Sequence, residues 1–151
     1  MRLSEHFTLA EFTRSQTARK RGINNTPSAK HIAAMRLLCE EVLEPLRAHF
    51  GGRPVRVTSG FRSPALCRAI GSSSRSQHAK GEAVDFEIPG VSNYEVACWI
   101  RDNLTFDQLI LECYTSGSPN SGWIHVSYRK GRARKQSLTY SRRKYFTGLR
   151  A

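Results

Sequence analysis

Residues 76–88 read Ser-Gln-His-Ala-Lys-Gly-Glu-Ala-Val-Asp-Phe-Glu-Ile, a polar loop followed by an alternating strand. Successive side chains of a strand point to opposite faces of a sheet. Val84 and Phe86 therefore form an apolar face, while Asp85 and Glu87 point the opposite way. The pattern predicts a strand with one buried face and one open face that carries carboxylates.

Two further segments, Asp107–Glu112 and Trp123–Tyr128, alternate in the same way. The connector between them contains Ser-Gly-Ser-Pro-Asn-Ser-Gly, which is typical of a turn, so we expect the two strands to pair as a hairpin. If the apolar faces of all three strands cover one core, Asp85, Glu112 and His125 emerge on one common surface.

Helical patterns surround these strands. Apolar residues recur at three- and four-residue steps from Ser28 to Phe50, and Ser63 and Ser92 are placed to cap two shorter helices. Thr8 caps a short helix near the N-terminus, and residues 54–59 form a further strand. The order of elements predicts an α+β domain, a small and mostly antiparallel sheet with flanking helices.

The chain has 151 residues, which suits one domain. Its composition, 39% hydrophobic and 24% charged, excludes a disordered tail and a membrane protein. The N-terminus lacks the apolar region of a secretory signal, so we expect a protein that is made in the cytoplasm and has no transmembrane segment.

Basic residues outnumber acidic ones by 24 to 12, and the excess is concentrated near the C-terminus. We divide the chain into a domain of residues 1–128 and a basic C-terminal segment of residues 129–151, which is part of that domain or appended to it. The segment has no carboxylate and predicts attraction to a polyanion. Charge alone favours nucleic-acid binding only weakly, so nucleic acid is the partner we expect least.

The four cysteines contain no CxxC pair, which argues against a zinc finger or a dithiol redox site. Reduced thiols are the default for a protein made in a cytoplasm. Cys39 lies on the apolar stripe of the long predicted helix, where we expect it to be a small core residue.

A different set of residues has metal-binding chemistry. His78 lies in the loop directly before the strand that carries Asp85, and with His125 these residues form a candidate zinc site that leaves a position for water. A His and an Asp seven residues apart also occur by chance, so spacing alone leaves an ordinary structural role open. A second carboxylate on the same face, Glu112 or Glu87, could accept a proton from that water.

Three blocks of the chain resemble the signatures of one family of zinc peptidases. They are Ser59-Gly-Phe-Arg-Ser-Pro64, Ser76-Gln-His-Ala-Lys-Gly-Glu-Ala-Val-Asp-Phe86 and Trp123-Ile-His-Val-Ser127. The family includes D-alanyl-D-alanine carboxypeptidases, D-Ala-D-Ala dipeptidases and the L-alanyl-D-glutamate endopeptidases of phage lysins. The middle block matches the pattern S-x-H-x-x-G-x-A-x-D at every fixed position. The resemblance extends over residues 3–128 and is closest to a compact phage or prophage branch.

The resemblance implies a Zn²⁺ ion with three protein ligands: His78, Asp85 and His125. It also implies that Arg62 binds substrate near the scissile carbonyl and stabilises the negative charge that develops there. Ser76 and Gln108 are expected either to contact the substrate or to hold the ligands in place.

One position departs from the family pattern. Many members carry the catalytic acid three residues before the last zinc histidine, and here that residue is Gly122. We expect Glu112 to serve as the catalytic base instead, because it faces the same surface from the neighbouring strand; Glu87 is the alternative.

The resemblance implies a zinc-dependent peptidase that hydrolyses peptidoglycan stem peptides, of the D-Ala-D-Ala carboxypeptidase or L-Ala-D-Glu endopeptidase type. The alternative is a weakly active or non-catalytic wall-binding or phage-particle module with the same fold. We expect a monomer whose basic C-terminal segment binds an anionic wall polymer. It would act on the cell wall after export or lysis, or as part of a phage particle.

Overall fold

A six-stranded sheet organises the chain, and the computed structural model describes every residue from 1 to 151. The strands are β1 (Arg56–Ser59), β2 (Ala83–Glu87), β3 (Gln108–Glu112), β4 (Trp123–Ser127), β5 (Gln136–Ser141) and β6 (Lys144–Thr147). Their order in the sheet is β1-β2-β4-β3-β5-β6, and every neighbouring pair is antiparallel except β3 with β5. The predicted α+β class, with a mostly antiparallel sheet, is confirmed.

Six α-helices accompany the sheet. They are α1 (Leu9–Thr13), α2 (Gln16–Arg21), α3 (Ala29–Leu38), α4 (Glu44–His49), α5 (Pro64–Ala69) and α6 (Asn93–Asn103). The predicted caps are present, since the side chains of Thr8, Ser63 and Ser92 accept hydrogen bonds from the first turns of α1, α5 and α6. None of the helices has the length and apolar content needed to cross a bilayer.

The long helix expected between residues 28 and 50 is interrupted in its middle. A π-helical turn, Cys39–Leu43, joins α3 to α4. Pro45 explains the interruption, because proline has no backbone N–H and its ring clashes with the carbonyl of the residue four positions earlier. The wider π turn before it avoids that clash and keeps the helical run continuous.

The loop expected between residues 71 and 81 contains a short 3₁₀ turn, Gln77–Lys80. Ser76 caps this turn by accepting a hydrogen bond from the backbone N–H of His78 at 3.1 Å. Gly81 ends it with a φ of 74°, and a Cβ at this position would clash with the backbone of His31. The turn therefore depends on a glycine, and it positions His78 directly before β2.

The hydrophobic core lies between the helices and one face of the sheet. It is a cluster of 23 buried residues that includes the apolar face of the central strands: Val84, Phe86, Leu109, Leu111, Ile124 and Val126. The opposite face, here called the open face, carries the alternate residues of the same strands. The division of each strand into a core face and an open face is as the sequence predicts.

The basic C-terminal segment continues the sheet. The sequence pattern indicates no strand after Tyr128, yet β5 pairs in parallel with β3 and β6 pairs with β5. Asp107, whose side chain is fully buried, accepts two hydrogen bonds from the Arg134 guanidinium at 2.8 and 3.0 Å. The segment is thus attached by backbone pairing and by a buried carboxylate that neutralises one of its charges.

Replacing Arg134 by Met should destabilise the fold in a pH-dependent way. Burial raises the pKa of Asp107, but hydrogen bonds from Arg134 outweigh it and hold this pKa below its ordinary value. The interaction therefore stabilises the protein fully above the unfolded pKa of ~3.9 and is lost as the pH falls through the lower folded value. Because Arg134 is partly exposed, we expect a loss of only about 2 kcal/mol in the free energy of unfolding at neutral pH.

Urea unfolding at pH 7 and below the unfolded pKa measures this effect. The matched control is Arg143→Met, which removes an exposed cation from the β5–β6 turn and should change stability by less than about 0.5 kcal/mol. A difference between Arg134→Met and wild type that stays constant as the pH falls would contradict the assignment.

Candidate metal centre

The His78 imidazole is buried and held in one orientation. Its Nδ1 lies 2.7 Å from the carbonyl oxygen of Gly60, and because a carbonyl only accepts, Nδ1 carries the proton and donates. The other nitrogen, Nε2, is left with a free lone pair and lies 3.4 Å from Asp85 Oδ1. Such a bond from the far side of the ring is the usual way in which a protein orients a metal-binding histidine.

Asp85 and His125 are brought together by the sheet itself. They are register partners in the antiparallel pair of β2 and β4, and both side chains lie on the open face. His125 Nδ1 lies 3.0 Å from Asp85 Oδ1. The His125 contact therefore uses the δ nitrogen, whereas His78 presents the ε nitrogen to the same carboxylate.

The side chains of His78, Asp85 and His125, here called the metal-ligand group, fit a divalent metal ion. The candidate ligand atoms of His78, Asp85 and His125 all lie within 4.8 Å of one another. Tetrahedral coordination with bonds of ~2.0–2.1 Å separates neighbouring ligand atoms by roughly 3.3 Å, close to the observed 3.0 and 3.4 Å. Two imidazoles and one carboxylate are a donor set that suits zinc in a site with an open position.

The protonation states that metal binding requires are favoured by the surroundings. Burial lowers the pKa of His78, which keeps the imidazole neutral. Burial alone would raise the pKa of Asp85, but the hydrogen bond from His125, together with the nearby His78 and His125 rings, outweighs it and holds the pKa below its usual range. An ionised carboxylate and a neutral imidazole are the forms that coordinate a metal.

The group opens into a cleft of about 440 Å³. All the candidate site residues derived from the three sequence blocks and the predicted hairpin line this cleft, and Glu87 does not. The lining residues are Arg62, Ser72, Ser76, Gln77, His78, Asp85, Gln108, Ile110, Glu112, Trp123, His125 and Tyr145.

Arg62 lies beside the metal-ligand group and retains free hydrogen-bonding capacity. Its backbone N–H donates to the carbonyl of His78 at 3.1 Å, and its Nη2 lies 4.0 Å from Asp85 Oδ2. The side chain is only 18% exposed, and its buried Nε–H has no hydrogen-bond partner. A fixed guanidinium with an unpaired donor can bind a carbonyl or carboxylate oxygen of a ligand in the cleft.

Glu112 supplies a second carboxylate to the cleft. It is the register partner of Trp123, whose indole Nε1–H donates a hydrogen bond to Glu112 Oε2 at 2.9 Å. Burial, followed by the nearby charge of Asp85, raises the pKa of Glu112 despite opposing effects of His125, Trp123 and Arg62. A carboxyl group with a raised pKa is a more effective proton acceptor near neutral pH.

Glu87 lies elsewhere. It forms an ion pair with Arg56 of the neighbouring strand and lines a separate cavity near Pro89. Glu87 and Glu112 both lie on the open face of the sheet, but only Glu112 lines the cleft that contains His125.

Gly122, at the position where the family pattern has an acid, has a φ of 68°. A Cβ there would overlap the backbone carbonyl of Glu112, so no side chain can project from this position without moving the strand end. The close approach of the Gly122 and Glu112 backbones thus explains why no acidic side chain is present at position 122. It also places Glu112 next to that position, where its side chain lines the cleft.

Ser76 and Gln108 have structural partners as well as a place in the cleft. Ser76 caps the turn that carries His78, and Gln108 Nε2 donates to Gln136 Oε1 at 2.8 Å.

Sequence reasoning missed two residues that contribute to the cleft or support it. Gln77 connects the turn to buried Asp107 at 3.0 Å, and Tyr145 reaches the cleft from β6. The doublet Gln77-His78 was visible in the middle block, but no local signal indicates Tyr145.

Comparison with known proteins adds the family. No curated protein matches the chain. A family model described as Peptidase M15 matches residues 5–127, which include every candidate metal ligand, Arg62 and Glu112. Since the match covers most of the sequence, this chain belongs to the Peptidase M15 family of metallopeptidases.

Proposed function

We propose that this protein is a zinc-dependent peptidase that hydrolyses peptidoglycan stem peptides, as a D-Ala-D-Ala carboxypeptidase or an L-Ala-D-Glu endopeptidase. One observation carries the proposal. A single cleft combines a His-Asp-His group, a fixed guanidinium and a carboxylate whose pKa is raised. Membership of the Peptidase M15 family supports the metallopeptidase class.

The metal would be held by His78 through Nε2, by the Asp85 carboxylate and by His125 through Nδ1. When bound, zinc supplies a Lewis acid that polarises the scissile carbonyl and makes water acidic enough to lose a proton near pH 7. The protein's own contribution is orientation, because Gly60 fixes the His78 ring and the β2–β4 pairing fixes Asp85 against His125.

Glu112 is the proton carrier in this proposal. Its carboxylate accepts the proton of the attacking water and later gives it to the amine that leaves. The indole N–H of Trp123 holds one carboxylate oxygen and leaves the other for this task. The pKa of Glu112 is raised toward neutral pH, and a general base transfers protons most effectively when its pKa lies near the working pH.

Arg62 stabilises the charge that develops on the scissile carbonyl oxygen. The backbone N–H of Arg62 is bound by the His78 carbonyl and its guanidinium lies 4.0 Å from the Asp85 carboxylate, so its donors are in place before the substrate arrives. Donors that need no rearrangement stabilise a transition state more than donors that must be ordered first.

Digestion of purified peptidoglycan with the zinc-loaded protein, followed by mass analysis, tests the proposed activity. We expect a specific product, because the charged groups that line the cleft are held in place before the substrate binds. Release of a terminal D-Ala assigns a carboxypeptidase, and separation of L-Ala from D-Glu assigns an endopeptidase. Zinc-loaded protein that binds walls but releases no fragment would instead favour the non-catalytic module, for which the missing acid at Gly122 is the supporting observation.

Metal analysis tests the ligand set. Purified protein should contain about one zinc per chain, and replacing His78, Asp85 or His125 by Ala should remove most of it because three protein ligands are needed. Added zinc should also raise the thermal midpoint of wild type and not that of the variants. The control is His49→Ala, since His49 stacks on Trp99 away from the cleft. A His125→Ala protein that still binds a full equivalent of zinc would disprove this ligand set.

Glu112→Gln tests the proton carrier. The change keeps the shape and the hydrogen bond from Trp123 but removes the proton acceptor. We expect unchanged zinc content and a fall in kcat of about 100-fold or more on a soluble muropeptide. Glu87→Gln is the matched control and should retain most of the activity, because Glu87 pairs with Arg56 outside the cleft. Full activity in Glu112→Gln would show that another group moves the proton.

A further inference from the structure

The β5–β6 hairpin (residues 136–147) reaches the cleft although it lies outside the family match, which ends at residue 127. Register places Tyr140 and Tyr145 of this hairpin on the open face. Glu112 pairs with Tyr140 across the parallel strands, and Tyr140 pairs with Tyr145 across the antiparallel strands. Paired residues share a face, so Trp123, Glu112, Tyr140 and Tyr145 form one row across four strands.

Tyr145 is the exposed end of this row. Its side chain lines the cleft, and the residue is 61% exposed, one of only three large hydrophobic residues that are exposed in the protein. Its ring lies 4.7 Å from that of Tyr140, at an angle of 49°, which restricts its orientation. An aromatic ring that is held in place but left open to a cleft offers a contact surface to a ligand.

The phenol of Tyr145 also has the right form for hydrogen bonding. Partial burial, followed by the charge of Glu112, raises the pKa of Tyr145, so the hydroxyl keeps its proton throughout the neutral range. It can therefore donate to a carbonyl oxygen of a ligand, the role that the proposed function gives to the Arg62 guanidinium.

We infer that Tyr145 is a substrate-contacting residue, whose ring packs on the backbone of the bound peptide and whose hydroxyl donates a hydrogen bond to it on the side of Glu112 away from Arg62. The inference rests on the proposed peptidase function. It makes the hairpin a specificity element that this chain adds to the matched domain.

The sheet sets how far from the reacting bond this contact lies. The strand of Glu112 and the strand of Tyr145 are separated by β5, which is two strand spacings or ~10 Å. An extended peptide advances ~3.3 Å per residue and covers this distance with about three residues. A full stem peptide should reach Tyr145, and a substrate with only the two residues that flank the scissile bond should not.

Steady-state kinetics of Tyr145→Ala and Tyr145→Phe on a soluble stem peptide test the inference. We expect Tyr145→Ala to raise KM about 10-fold with kcat changed by less than about twofold, because a binding contact remote from the reacting bond is lost. Tyr145→Phe should give an intermediate KM, because it removes the hydrogen bond of the hydroxyl and keeps the packing of the ring. On the shortened substrate, both variants should match wild type.

Thr147→Ala is the matched control, since Thr147 is exposed on the same face of the same strand and does not line the cleft. Zinc content and thermal midpoint should be the same in all four proteins, and Tyr145→Phe, which keeps the ring, covers the case of a destabilised Tyr145→Ala. The inference would be overturned if wild type and both Tyr145 variants had equal KM values on the stem peptide. It would also be overturned if the variants raised KM for the short substrate as much as for the stem peptide. Either result would leave the proposed function intact.

Failure of the proposed function has a different result. Binding of the stem peptide can be followed without turnover as a change in tryptophan fluorescence, because Trp123, one of the two tryptophans, lines the same cleft. If wild type neither binds nor cleaves any stem peptide, the proposed function and the contact with Tyr145 both fail. Weaker binding by Tyr145→Ala in the absence of turnover would support the contact independently of catalysis.

Discussion

The antiparallel pairing of β2 with β4 is the constraint on which the site depends. It sets Asp85 opposite His125, with Asp85 Oδ1 3.0 Å from His125 Nδ1. A slip of one residue in this pairing would turn either side chain into the core. The apolar partners Val84 and Val126, which are fully buried, make such a slip costly, so core packing enforces the geometry of the metal-ligand group.

The third candidate ligand, His78, reaches the sheet from outside it. The 3₁₀ turn that carries His78 is capped by Ser76, is closed by Gly81 and is oriented by the bond to the Gly60 carbonyl. Gln77 ties the same turn to Asp107, which also binds Arg134. The 3₁₀ turn and the basic C-terminal segment are therefore both bound to the buried carboxylate of Asp107. Arg134, one of the basic residues of that segment, thus has a structural role.

In the proposed mechanism, proton transfer and metal binding belong to different strands for a steric reason. Gly122 approaches the backbone of Glu112 so closely that it cannot bear a side chain, while the carboxylate of Glu112 enters the cleft from the paired strand. The hydrogen bond from Trp123 keeps that carboxylate at the mouth of the site. The same row of the sheet continues to Tyr145, which extends the cleft beyond the matched domain.

The alternation of apolar and polar residues within β2, β3 and β4 by itself determined which side chains share the open face. Strand periodicity is local, and when one face is apolar and the other polar, only the apolar face can be buried. That alternation, with the three sequence blocks, was enough to predict the α+β class and to group Asp85, Glu112 and His125. Tertiary structure alone decided the rest. Only the folded chain could show that Glu112 lines the cleft while Glu87 pairs with Arg56, that Arg134 binds Asp107, and that Tyr145 reaches a cleft whose other residues lie within 62–125. These contacts join segments that are distant in sequence, and no local propensity encodes which strands become neighbours in a sheet.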